Sequence, residues 1–160
     1  MQFLYTIAAG IDSFNSPILA AGLLATGAGF IFLRSKRHAA ALVLSCVCAA
    51  GMGIALKLLF AIPRPDAALV PVSGYRFPSQ HALLAGAFFS SVCLSAFCLF
   101  RSRWAKLCAF IFSLCAVGIV AWSRVFLHTH LPIDVTVGAL LGIGISMVIQ
   151  FLILRKKCRH

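Results

Sequence analysis

Three short polar clusters interrupt an otherwise apolar chain: Lys57 to Arg64-Pro65, then Pro78-Ser79-Gln80-His81, then Ser123-Arg124 through His130 to Asp134. Among their residues are three cations, a helix-capping hydroxyl, two imidazoles besides His128 and one carboxylate, which is most of what phosphate-ester chemistry needs. Arg64 stands between Pro63 and Pro65, which keep its backbone out of a helix and hold the side chain at a helix mouth. A planar guanidinium there suits bidentate capture of phosphate or carboxylate. Ser79 is a natural N-cap, and a helix start offers free N–H groups and a positive dipole end to an anion.

The third cluster carries the reactive groups. Pro132 fits the first turn of a helix, so Asp134 falls in that turn, near enough to reach back and orient His130. An imidazole held by a carboxylate through one nitrogen presents the other as a base or nucleophile. His128 is the competing imidazole and reads as a loop residue. Tyr75, Arg76 and Phe77 precede the second cluster and read as an interfacial anchor, with headgroup selection as the alternative.

The elements that must position these groups are membrane spans. Of 160 residues, 62% are hydrophobic and 11% charged, the mean hydropathy is +1.03, and a soluble domain carries about 25% charged residues. A bilayer core about 30 Å thick needs roughly 20 apolar residues in a helix. Five stretches meet that need, near residues 17–33, 39–62, 82–100, 105–123 and 133–154. Residues 1–11 are apolar but too short to span and are expected to form an interfacial helix. The fold class is thus all-α, a polytopic transmembrane bundle in a single integral-membrane domain covering residues 1–160. Lone glycines in the spans, and the Gly138-x-x-x-Gly142 pair, mark close helix packing. The seven cysteines include six inside apolar runs and no C-x-x-C pair, which argues for neither a disulfide framework nor a metal site.

Charge fixes the orientation. Arg34, Lys36, Arg37, Arg101, Arg103, Lys106, Arg155, Lys156, Lys157 and Arg159 supply ten of the fourteen basic residues on one side, with no acids among them. The other side holds Lys57, Arg64, Arg76 and Arg124 together with all three acids, Asp12, Asp66 and Asp134. The positive-inside rule puts the first set in the cytoplasm and all three polar clusters outside. The formal net charge of +11 is therefore topological, and no soluble basic face exists for nucleic acid. The basic Arg34-Ser-Lys-Arg run follows the first apolar stretch instead of preceding it, so that stretch is expected to stay as an anchor and not be cleaved.

Lys57-x6-Arg64-Pro65, Pro-Ser-x-His and Ser123-Arg124-x5-His130-x3-Asp134 resemble, in order and spacing, the three-part signature of the type 2 phosphatidic acid phosphatase superfamily. The likeness covers about half the chain. Gln80 stands where that family usually has glycine; the backbone N–H is kept, and a larger side chain must be accommodated at the pocket. Five spans stand where the family commonly has six.

The resemblance implies that His130 attacks phosphorus with Asp134 orienting its ring, and that His81 protonates the leaving oxygen. It also implies that Lys57, Arg64, Arg124, Ser79 and the Gln80 amide cradle the phosphoryl group. No cofactor or metal is expected, since a lone Asp134 makes a poor magnesium site. The longest outer connection, Pro63 to Gln80, has eighteen residues, too few to enclose a water-soluble substrate. The expected substrate is a lipid phosphate or pyrophosphate at the outer leaflet, with its tails in the bilayer. Undecaprenyl diphosphate, phosphatidylglycerophosphate, phosphatidic acid and a lipid A phosphate all fit, and the expected setting is a bacterial inner membrane. The rival readings are phosphotransfer from a lipid pyrophosphate to another lipid, and a lipid-binding or transport protein with a decayed site.

Overall fold

The computed structural model describes residues 2–13, 24–25, 27–29, 31–64 and 68–154. Their regular structure is helical: α1 (Gln2–Ser13), α2 (Lys36–Phe60), α3 (Gln80–Leu99), α4 (Arg103–Phe126) and α5 (Pro132–Leu154), with further helical residues at 24–25, 27–29 and 31–32. The last four named helices are each long and apolar enough to cross a membrane. They match the four expected spans from residue 39 onward to within a few residues. The expected span at 17–33 lies largely outside the described residues. α1 is a helix as expected, and its 12 residues reach about 18 Å at 1.5 Å each, short of a bilayer core.

Local chemistry sets the helix ends. Ser102 caps α4 by accepting from the Ala105 N–H at 3.4 Å. α2 stops where Ala61 turns left-handed, φ 46°, closing its N–H on the Lys57 carbonyl at 2.9 Å. Pro132 opens α5, the position where its missing N–H is no loss.

Packing is inverted relative to a soluble protein. The buried positions are mainly small or polar, among them Ala41, Ala49, Ala82, Ala87, Ser45, Ser91 and Ser146, whereas Leu58, Leu59, Phe112, Leu114, Leu140, Phe151 and Leu152 are exposed. Helices that gain nothing from hiding leucine from lipid associate through close backbone approach and interhelical hydrogen bonds. α3 and α5 form the closest pair. A Cβ at Gly86 would lie 2.5 Å from the Ala139 carbonyl oxygen, and one at Gly138 would lie 2.7 Å from that of Ser79. A Cβ at Gly142 would run into the Leu83 carbonyl. Further along the same pair Ser91 and Ser146 share a hydrogen bond of 2.7 Å, and Gln150 donates to the Ser91 carbonyl at 3.0 Å. α4 packs loosely by contrast: only Ser113, Ser123 and Arg124 are buried along it.

Candidate active site

All three polar clusters gather at one end of the bundle, where α2 and α4 finish and α3 and α5 begin. Beyond the left-handed Ala61, Arg64 reaches across the bundle. Its Nε donates to the Ser73 carbonyl at 3.2 Å and its Nη1 to the Thr129 carbonyl at 3.2 Å. The same Nη1 stands 3.4 Å from His130 Nε2. Lys57, one turn inside the end of α2, donates through Nζ to the Tyr75 carbonyl. The returning segment 68–79 is tied down by Leu69 N–H to the Leu127 carbonyl and Arg76 N–H to the Ile62 carbonyl, each at 3.0 Å.

Ser79 occupies the N-cap position of α3 but makes no side-chain cap bond. It is fully buried, and its Oγ has no hydrogen-bond partner. Its N–H instead donates to the Asp134 carbonyl at 3.1 Å, tying the second cluster to the third. Gln80 follows as the first residue of α3. Its side chain lies on α2, with Nε2 donating to the Ala50 carbonyl at 3.2 Å, in room left by the missing side chain of Gly53. His81 is half-buried on the first turn of α3.

At the end of α4, Ser123 and Arg124 are buried, Arg124 with 1% exposure. Arg124 Nε donates to Ser123 Oγ at 3.2 Å, and the Arg124 carbonyl accepts from Thr129 Oγ1 at 3.0 Å. His128 turns the chain in left-handed geometry, φ 54°, and is exposed. That turn carries His130 back into the site, where it is 4% exposed. Asp134 is the third residue of α5 and reaches back to the start of its own helix: Oδ2 accepts the Leu131 N–H at 2.8 Å. This is half of a capping box, and it leaves Oδ2 3.9 Å from His130 Nδ1.

Electrostatics fix the state of His130. Burial, followed by the charges of Arg64, Lys57, His81 and Arg124, pushes its pKa down from 6.5 to about 3. A neutral ring has one donor and one acceptor nitrogen. Arg64 can only donate, so Nε2 carries the lone pair and Nδ1–H faces Asp134. The arrangement is an unprotonated nitrogen amid cations, backed by a carboxylate, beside an unsatisfied serine hydroxyl.

Lys57, Arg64, Ser79, His81, Arg124, His130 and Asp134 therefore converge, and Gln80 joins them through its backbone only. Sequence reasoning left Arg76 between an interfacial anchor and a headgroup contact, and did not place it beside Asp134. With 21% exposure, its Nη1 lies 3.8 Å from Asp134 Oδ2. The cause is the strap formed by its own N–H and by Lys57 on Tyr75, which no spacing in the sequence announces.

A family model described as the PAP2 superfamily matches residues 37–157. An undecaprenyl-diphosphatase from Sulfolobus acidocaldarius is 30% identical over 125 residues, which cover 74% of this chain and 56% of that protein. The chain thus spans little more than half the length of this relative. Among solved structures, the transmembrane PAP2-type phosphatidylglycerolphosphate phosphatase of Bacillus subtilis superposes with a TM-score of 0.88 at 21% identity, covering 100% of this chain and 81% of that one. Aquifex aeolicus LpxE gives 0.72 at 22% identity, covering 93% and 86%. Both share the fold described above.

Proposed function

Since the chain belongs to the PAP2 superfamily, we propose that it hydrolyses a lipid phosphate or lipid pyrophosphate at the outer leaflet through a phosphohistidine intermediate. The observation that carries this reading is the neutral, buried His130, its Nε2 lone pair facing Arg64, with the charges of Lys57 and Arg124 also acting on the ring and Asp134 behind.

A phosphomonoester carries about −1.5 to −2 charge at pH 7. As it enters, Arg64 passes its N–H from Nε2 to a phosphoryl oxygen, and Lys57 and Arg124 neutralise the others. Ser79 Oγ and the N–H groups at the start of α3 complete the cradle. His130 Nε2 then attacks phosphorus in line as the P–O bond to the lipid breaks, and His81 gives its proton to the leaving oxygen. The Nδ1–H of the charged phosphohistidine is held by Asp134. Water next attacks phosphorus, His81 takes up its proton, and the N–P bond breaks to release phosphate and neutral His130.

A lipid is the substrate class that suits a bundle whose outer flanks carry exposed leucine and phenylalanine. The names of the relatives, an undecaprenyl-diphosphatase and a phosphatidylglycerolphosphate phosphatase, support the same class. The distribution of basic residues supports the extracytoplasmic face and fits a bacterial inner membrane.

The test is release of inorganic phosphate by the purified protein from a panel of detergent-dispersed lipid phosphates and pyrophosphates. Turnover of at least one lipid, an acid-labile phosphoenzyme, and loss of both in folded His130→Ala are expected. Undiminished activity in His130→Ala would remove the nucleophile from the scheme, and label recovered in a second lipid would make the protein a phosphotransferase.

A further inference from the structure

Three cations match the charge of the phosphoryl group, and Arg76 is a fourth whose guanidinium faces the carboxylate. Asp134 is 1% exposed, with Oδ1 buried and without a hydrogen-bond partner. Its Oδ2 accepts the Leu131 N–H at 2.8 Å and lies 3.8 Å from Arg76 Nη1 and 3.9 Å from His130 Nδ1. Burying a carboxylate is costly unless an opposite charge pairs with it. His130 is neutral and cannot supply it.

We propose that Arg76 is a positioning residue: it holds the Asp134 carboxylate in place, and through it sets the orientation and basicity of the His130 ring. The proposal rests on reading His130 as the nucleophile. The backbone of Arg76 is anchored by its N–H to the Ile62 carbonyl at 3.0 Å, and the preceding carbonyl of Tyr75 by Lys57. The end of α2 that delivers two phosphate-binding cations therefore also fixes the residue that steadies the carboxylate. Arg76 divides the charge of Asp134 with Nδ1–H of His130, which keeps the carboxylate from drawing a second proton onto the ring. The groups acting on that ring are Lys57 from α2, Arg64 after it, His81 from α3, Arg124 from α4 and Asp134 from α5, with Arg76 acting through the last.

Nitrogen-15 NMR of labelled histidine in the detergent-solubilised protein, together with lipid phosphatase kinetics, tests this on wild type, Arg76→Gln, Arg76→Lys, Asp134→Asn and the Arg76→Gln/Asp134→Asn double variant. Arg76→Gln should raise the His130 pKa, because an undivided carboxylate favours the imidazolium. It should lower kcat on the order of 10- to 100-fold, the effect of a misaligned reacting group, with KM held within about twofold. Arg76→Lys, which keeps the charge, should restore most of kcat and the lower pKa. In the Asp134→Asn background, Arg76→Gln should have no further effect. A rise in KM at constant kcat would make Arg76 a headgroup ligand, and additive losses in the double variant or an unmoved His130 pKa would also overturn the proposal. The NMR arm needs no substrate. A wild type inactive on every lipid would count against the proposed function, while the NMR shift would still decide the role of Arg76.

Discussion

At the scale of single residues, His130 decides how the protein responds to pH. Its folded pKa of about 3 lies below the ordinary histidine value, so the folded protein declines a proton that the unfolded chain accepts. The associated stability is fully present above about pH 6.5 and is lost as pH falls from there toward 3. Two outcomes are expected. His130 should show no titration near 6.5 by nitrogen-15 NMR, and thermal unfolding in detergent should move to lower temperature across that acid window. Arg64→Gln removes the first of the cations acting on the ring and should raise the midpoint. An unchanged midpoint would mean that burial alone holds the ring neutral. The residues that meet around His130 were legible as types and spacings, because Lys57, Arg64, Ser79, His81, Arg124 and Asp134 all stand at helix ends of one bundle face. Arg76 was not. Its direction depends on a backbone bond to Ile62 and a lysine reaching Tyr75, contacts between segments that no local pattern encodes.

At the scale of helices, glycine sets the spacing. A Cβ at position 142 would meet backbone on α3, which cannot swing aside, whereas Gly144 has nothing within 4 Å of the corresponding point. Gly142→Ala should therefore destabilise the bundle by about 1–3 kcal/mol, the usual range for overpacking. Gly144→Ala should be neutral or slightly stabilising through helix propensity; paired thermal unfolding in detergent reads the difference. Gly53 answers to a side chain instead of backbone. Gly53→Ala should displace the Gln80 amide from α2, at the loss of its bond to Ala50, and reduce phosphate release. Gln80→Gly should recover the activity in the double variant, and failure to do so would separate the two positions. The Gly138-x-x-x-Gly142 pair was readable as a packing point because small residues one turn apart leave a groove. Its partner Gly86 and the fit of Gln80 against Gly53 were not, since each requires knowing which helices are neighbours.

At the scale of the whole molecule, helices that bury serine and alanine and turn leucine outward fit a bilayer on every flank, and the spans were legible because hydropathy alone defines them. Sidedness rests on counting basic residues and has a direct test. A cysteine introduced at Ser73, in an otherwise cysteine-free protein, should react with a membrane-impermeant thiol reagent in intact cells, and one at Ser102 should react only after permeabilisation. The reverse pattern would invert the orientation. Two of the site's buried side chains, Ser123 and Arg124, ride on α4, which buries only one other residue, Ser113, along its length. Asp134 stands on α5 and Ser79 at the cap of α3, the interlocked pair, and His130 lies in the turn between α4 and α5. A helix adjusts to a thicker or thinner hydrocarbon layer at only modest energies, and α4 is the wall of the site most open to that adjustment. Bilayer thickness should then be an input to the chemistry: a change in acyl-chain length is expected to alter phosphate release with no alteration to the protein itself.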